Sequence, residues 1–145
     1  MILNRQRRVP VAVKPLEGFL RAVQQTLRLQ EREVTVCLVS DSAIARLNRT
    51  FRGKPGPTDV LSFPANGASA RSSDSSTSST SNLGDIAISP ESARRNARRS
   101  ARPLAQELRI LILHGVLHLM GYDHETDHGE MERLERRLRR RLGVN

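Results

Sequence analysis

The chain of 145 residues contains no tryptophan, one cysteine and only two lysines, Lys14 and Lys54, and aromatic residues make up 3% of it. The single thiol, Cys37, excludes a disulfide within the chain, and its place in an apolar run suits a reducing compartment. So few aromatics argue against an aromatic sheet on which bases stack in series. No apolar run approaches the roughly 20 residues of a membrane helix. Residues 1–15 also lack the apolar core of a secretion signal. The expectation is a cytoplasmic protein with no membrane partner. The length corresponds to a single domain over 1–145 that can bury a core.

What is abundant is positive charge. The formal net charge is +9 and the sequence pI about 11.4, with 24 − 2 = 22 of the basic residues arginine. A GC-rich genome would favour arginine codons over lysine codons, but codon usage does not explain the excess of positive charge. The excess points to a polyanionic partner, and arginine is the better residue for two-pronged phosphate contacts.

All four histidines lie within residues 113–131, with the spacing His114-x-x-x-His118-x-x-Gly121-x-x-His124, followed by His128. The surrounding apolar run marks the first part as a buried helix, on which two histidines four apart differ by about 40° in azimuth and about 6 Å in rise. They point the same way and can grip one ion. A continued helix would turn His124 away by about 240° relative to His118. Gly121 permits a left-handed helix end that brings the chain back. Three neutral imidazoles and an open fourth position form the arrangement of a catalytic zinc site. One class of zinc proteases shares this spacing but places a glutamate, the general base, directly after the first histidine. Gly115 stands there instead, which argues against peptide hydrolysis. His128, four residues beyond His124, is either a solvent-facing residue on the first turn of the last helix or a further group that reaches the same ion. Asp123 is either a partner for a histidine ring or a turn residue.

The remaining elements follow from pattern. Residues 2–13 suggest one edge strand. A helix opens at Lys14-Pro15 with an apolar face of Leu16, Phe19, Leu20, Val23 and Leu27. Residues 33–40 are continuously apolar and β-branched, as in a strand covered on both faces. Ser40-Asp41-Ser42 caps a second helix with a stripe of Ile44, Leu47 and Phe51. A strand–helix–strand start suggests a parallel crossover. Residues 52–59, with two prolines and two glycines, form a loop leading into a strand at 60–63. The serine-rich stretch 66–82 reads as a flexible excursion, and 83–89 as the next strand. Ser89-Pro90-Glu91 starts a helix with a thin inner face of Ala93, Ala97 and Ala101. Pro103 starts a helix that is apolar nearly all round, and therefore central. A last helix spans about 127–142, with Met131, Leu134, Leu138 and Leu142 inward and Glu132–Arg136 and Glu135–Arg139 paired.

Two further features carry charge chemistry. Arg94, Arg95, Arg98, Arg99 and Arg102 crowd one helix, which is either a plain solvated face or a candidate for holding nucleic-acid backbone phosphates in a salt-sensitive way. Arg52, next to a loop fixed by glycine and proline, is a surface arginine or a donor that stabilises charge on a pentacoordinate phosphate.

The segment from His114 through Gly121 to His124 resembles the signature of the YbeY family of bacterial metal-dependent endoribonucleases. Phe51-Arg52-Gly53-Lys54, Pro57-Thr58-Asp59-Val60-Leu61-Ser62-Phe63-Pro64 and Leu83-Gly84-Asp85-Ile86-Ala87-Ile88-Ser89 resemble the family's other motifs. The resemblance implies an α+β fold: a small mixed four-stranded sheet with about five helices and a zinc site at the end of the central helix. It implies one Zn2+ on His114, His118 and His124, and a catalytic role for Arg52. It further implies action on single-stranded RNA at the 3′ end of small-subunit ribosomal RNA and in ribosome quality control. A small-subunit ribosomal protein and an assembly GTPase are implied partners. The serine-rich stretch is longer than the family pattern suggests. The competing reading is a non-enzymatic ribosome-assembly factor in which zinc only staples the helix to the Gly121 turn.

Overall fold

Alternation along the strands decides how the layers stack. In the computed structural model, which describes residues 1–65, 81–123 and 125–144, four strands and five helices form. They run in the order β1 (Ile2–Asn4), α1 (Val13–Thr26), β2 (Glu33–Leu38), α2 (Asp41–Arg52), β3 (Val60–Pro64), β4 (Asn82–Ile88), α3 (Pro90–Arg99), α4 (Leu104–Leu119) and α5 (Glu130–Leu142). The sheet order is β1-β2-β4-β3, with β1, β2 and β4 parallel and the edge strand β3 antiparallel to β4. The class is therefore α+β with a mixed sheet.

Successive strand residues face opposite sides. Val34, Val36, Leu38, Ile86 and Ile88 lie on one face and join the main core, built with Leu16, Leu20 and Val23 of α1 and Leu108, Ile112, Leu113 and Val116 of α4. Leu61 and Ala87, which pair across β3 and β4, lie on the other face and form a smaller cluster with Ile44 of α2. Helices α1 and α4 thus cover one face, and α2 covers part of the other. For this reason β2 alternates between buried and half-buried residues instead of being covered on both sides. Its Cys37 faces the thinly covered side, where burial and then the charge of Asp85 push the thiol up and leave it unreactive.

Helix α4 is central because its buried residues run nearly all round it, Glu107 included, whose carboxylate is held by Arg102 at 3.0 Å. It seats on the sheet at Gly115. A Cβ there would meet Ile86 Cγ2 and Cδ1 at 2.9 Å, and the Gly115 carbonyl accepts a 3.1 Å hydrogen bond from Ser62 Oγ of β3.

Several expected boundaries shift. Helix α1 starts at Val13, and Arg52 is the last residue of α2 rather than part of the loop, with Gly53 as the left-handed C-cap. Phe51 is 64% exposed, so the α2 stripe stops short of it; its ring and that of Phe63 meet edge to face with centroids 5.1 Å apart. Ala101 lies beyond α3 at φ 53° and is not part of its inner face. Helix α5 starts at Glu130, three residues later than expected, because Asp127 spends both carboxylate oxygens on the backbone N–H groups of Gly129 and Met131. The serine-rich stretch 66–82 lies outside the described residues except for Ser81 and Asn82, the latter opening β4.

Gly84 sits where β4 passes the end of α4, at φ 146°, and an added Cβ would lie 2.4 Å from the Phe63 carbonyl and 2.8 Å from Leu119. Gly84→Ala should lower the unfolding free energy by about 2 kcal/mol or more through backbone strain and overpacking. Gly53→Ala, at φ 64° with no atom within 4 Å of the new methyl, should cost only the local conformational penalty of about 1 kcal/mol. Urea unfolding of both variants checks this; equal losses would contradict it.

Candidate metal centre and its surroundings

The last two turns of α4 carry His114 and His118, both half-buried. Their Nε2 atoms face each other at 3.1 Å, with the rings edge to face at 4.6 Å between centroids. Two imidazole lone pairs at this distance repel unless a proton or a cation lies between them. Two nitrogens bound to one tetrahedral zinc at the usual 2.0–2.1 Å would be about 3.3 Å apart. The pair therefore fits a zinc ion with little movement.

The other ring nitrogen of His114 is also engaged. Its Nδ1 lies 2.6 Å from Glu135 Oε1 of α5. A carboxylate beyond the coordinating imidazole is the usual support of a metal-binding histidine. Sequence pattern assigned Glu135 to Arg139 on its own helix. The 21-residue separation from His114 left no local signal for the true partner. The companion pair does form, with Arg136 Nη2 donating to Glu132 at 2.8 Å on the exposed side of α5.

Gly121 ends α4 as expected. It adopts φ 99°, its N–H donates to the His118 carbonyl at 3.0 Å, and the Tyr122 N–H donates to the Leu117 carbonyl at 3.1 Å. These two bonds are the Schellman closure, which reverses the chain directly after His118. Tyr122 packs back against the core. Asp123 acts as a turn residue: its Oδ1 accepts from the Glu125 N–H at 3.0 Å, and its carbonyl accepts from the N–H groups of Thr126 and Asp127. His124 lies outside the described residues, and among those described no group of three metal-binding side chains converges. His128 is exposed ahead of α5, with its backbone N–H on Glu130.

Arg52 is exposed at the C-terminal end of α2, in the layer across the sheet from α4. The loop after it is pinned from two sides: the buried Asn48 Nδ2 donates to the Gly56 carbonyl at 3.0 Å, and Asp59 Oδ2 accepts from Asn96 of α3 at 3.0 Å. Between the 57–59 segment and α3 lies a polar cavity of about 280 Å³, with Arg95 and Arg99 in its wall.

Three of the five arginines between 94 and 102 are held by other side chains. Arg95 Nη2 lies 2.9 Å from Asp41 Oδ2, Arg99 bonds Asn96, and Arg102 is held by Glu107. Arg98 is exposed and Arg94 half-buried. Asp41 is the hub of this network, accepting also from Ser89 Oγ at 2.6 Å and Ser92 Oγ at 2.7 Å. It joins the start of α2 to the start of α3, whose N-caps are Ser40 and Ser89.

The comparison with known proteins decides the family. The family model described as Endoribonuclease YbeY matches residues 1–143. The chain belongs to the YbeY family. Curated relatives named Endoribonuclease YbeY include one from Solibacter usitatus, 41% identical over 95% of this chain and 86% of the relative. Another, from Koribacter versatilis, is 42% identical over 98% of this chain and 85% of the relative. The solution structure of TM1509 from Thermotoga maritima shares the fold, with a TM-score of 0.64 and 28% identity over 98% of this chain and 89% of that one. The family match bears out the resemblance, and the mixed sheet together with the TM1509 fold bears out the α+β class that the resemblance implies.

Burial by itself would raise the Asp41 carboxyl, but the hydrogen bonds from Ser89, Ser92 and Arg95 outweigh it and hold the group below its ordinary value of 3.8. A lowered folded pKa stabilises the fold in full above that value and is lost as pH falls through the folded one. Asp41→Asn should therefore cost about 1–3 kcal/mol at neutral pH, a cost constant down to about pH 5 and shrinking below pH 4. Urea unfolding of both proteins against pH checks the sign; a cost that grows on acidification would contradict it.

Proposed function

We propose that this chain is a zinc-dependent endoribonuclease specific for single-stranded RNA. It acts in maturation of the small-subunit ribosomal RNA 3′ end and in ribosome quality control. The observation that carries the reading is the convergence of His114 and His118 at the end of α4, in a chain of the YbeY family. His114, His118 and His124 hold one Zn2+. When bound, the ion supplies Lewis acidity and a water of lowered pKa.

The chain's own residues do the rest. Arg52, exposed at the end of α2, donates to the phosphoryl oxygens where charge develops, the usual work of a positive donor in phosphoryl transfer. Arg94, Arg95, Arg98 and Arg99 of α3 hold backbone phosphates, which makes binding salt-sensitive. Arg98 is the most available of them, since Arg95 and Arg99 also answer to Asp41 and Asn96. The basic end of α5, with Arg139, Arg140 and Arg141, adds to the same field. The place of work is the cytoplasm, on the small ribosomal subunit, with a small-subunit ribosomal protein and an assembly GTPase as partners. Among the described residues no helix is long and apolar enough to cross a membrane.

The test is cleavage of single-stranded RNA by purified protein with zinc, after chelation, and with zinc-loaded Arg52→Ala. Cleavage should require metal, and Arg52→Ala should stay folded yet cut about 100-fold or more slowly. A 5′-phosphate on the product marks attack by water; a 2′,3′-cyclic phosphate marks attack by the RNA's own 2′-hydroxyl. RNA binding that is salt-dependent but never leads to cutting above a mock-purified control would replace this reading with that of an assembly factor.

A further inference from the structure

We infer that Glu135 is a positioning residue of the metal centre: its carboxylate fixes His114 in the tautomer that presents Nε2 to the ion. The inference rests on the zinc reading above and extends it to a residue outside the histidine motif. An ionised carboxylate can only accept. With Glu135 Oε1 at 2.6 Å from Nδ1, the proton of the neutral imidazole belongs on Nδ1. The lone pair is then on Nε2, the atom that faces His118 Nε2 at 3.1 Å. Histidine free in water prefers the opposite tautomer, which would point an N–H where a ligand atom is needed. The contact is sheltered, with side-chain exposures of 26% for His114 and 19% for Glu135.

The placement of Glu135 follows from α5. Met131 and Leu138 are buried and Leu134 packs on the main core, so this face of the helix is held down beside α4. Glu135 follows Leu134 directly and lies one turn from both Met131 and Leu138. The other acids near it on α5 are used elsewhere: Glu132 pairs with Arg136 in the open, at side-chain exposures of 70% and 62%, and Glu130 accepts from the His128 N–H. Glu135 is the acid that this helix turns toward the histidines. It sits behind the His114 ring, on the edge away from Nε2. It therefore acts through His114.

A carboxylate in this position raises the basicity of the coordinating nitrogen and removes the cost of reorienting the ring; losing such a partner weakens metal binding about 10–100-fold. The experiment is zinc competition against a chromogenic chelator for wild type, Glu135→Ala, Glu135→Gln and Glu132→Ala. It is joined by nitrogen-15 spectra of the histidine rings in the metal-free protein. Glu135→Ala should bind zinc about 10–100-fold more weakly, Glu135→Gln should fall between it and wild type, and Glu132→Ala should match wild type. In the metal-free spectra His114 should be protonated on Nδ1 in wild type and shift toward Nε2 in Glu135→Ala. If Glu135→Ala binds zinc as tightly as wild type, or if the His114 tautomer is the same in both, the inference is overturned while the zinc reading stands. Failure of wild type itself to bind zinc would overturn the zinc reading, and with it any role for Glu135 at a metal. Should Glu135→Ala not fold, Glu135→Gln carries both readouts.

Discussion

The close seat of α4 on the sheet at Gly115 is the contact on which the rest of the site depends. Ile86 occupies the space a Cβ would take, and Ser62 Oγ ties the Gly115 carbonyl to the edge strand. On the helix seated there, His114 and His118 lie one turn apart and their Nε2 atoms meet at 3.1 Å. The same contact explains the residue between them. Where zinc proteases place a glutamate as general base, this helix must pass against Ile86, and a longer side chain has no room. Packing thus leaves no room for the protease base while the two histidines stay one turn apart.

The end of α4 supplies the second constraint. The two Schellman bonds after His118 reverse the chain within Gly121 and Tyr122, and Asp123 then closes a further turn on Glu125 and Thr126. A tight reversal is what the histidine spacing requires, because a straight helix would carry the next histidine to the opposite side. Helix α5 returns across the same end and brings Glu135 to the back of His114. The candidate site therefore draws on one helix, the turn that ends it and a carboxylate contributed by a second helix.

Much of this was legible in the sequence because the signals were local. The four-residue spacing of His114 and His118, the glycine at 121, the all-round apolar pattern of α4 and the Ser89-Pro90-Glu91 start each constrain a few neighbouring residues, and each appears as read. The features that were not legible depend on partners far away in the chain. Glu135 looked like half of an exposed pair with Arg139 because nothing near it reveals His114. The partner of Arg95 left no local signal because Asp41 lies 54 residues away. Phe51 continued the apolar stripe of α2, but the cluster beneath that helix takes in Ile44 and Leu47 and not Phe51, so the ring stays largely in solvent. Cover on the second face of β2 was overread for the same reason: continuous apolarity says nothing about how far a neighbouring helix reaches.

Arg52, at the end of α2, and the histidine pair of α4 lie on helices that pack on opposite faces of the sheet, and the proposed function asks RNA to reach both. The metal is the centre of that account. Zinc K-edge absorption spectroscopy on the zinc-loaded protein, with metal content measured on the same sample, tests it most directly. The account predicts one zinc per chain, with three imidazole nitrogens at about 2.0–2.1 Å and one further light atom, and loss of that signal in His118→Ala. A sulfur neighbour at about 2.3 Å, or a zinc environment unchanged in His118→Ala, would contradict it.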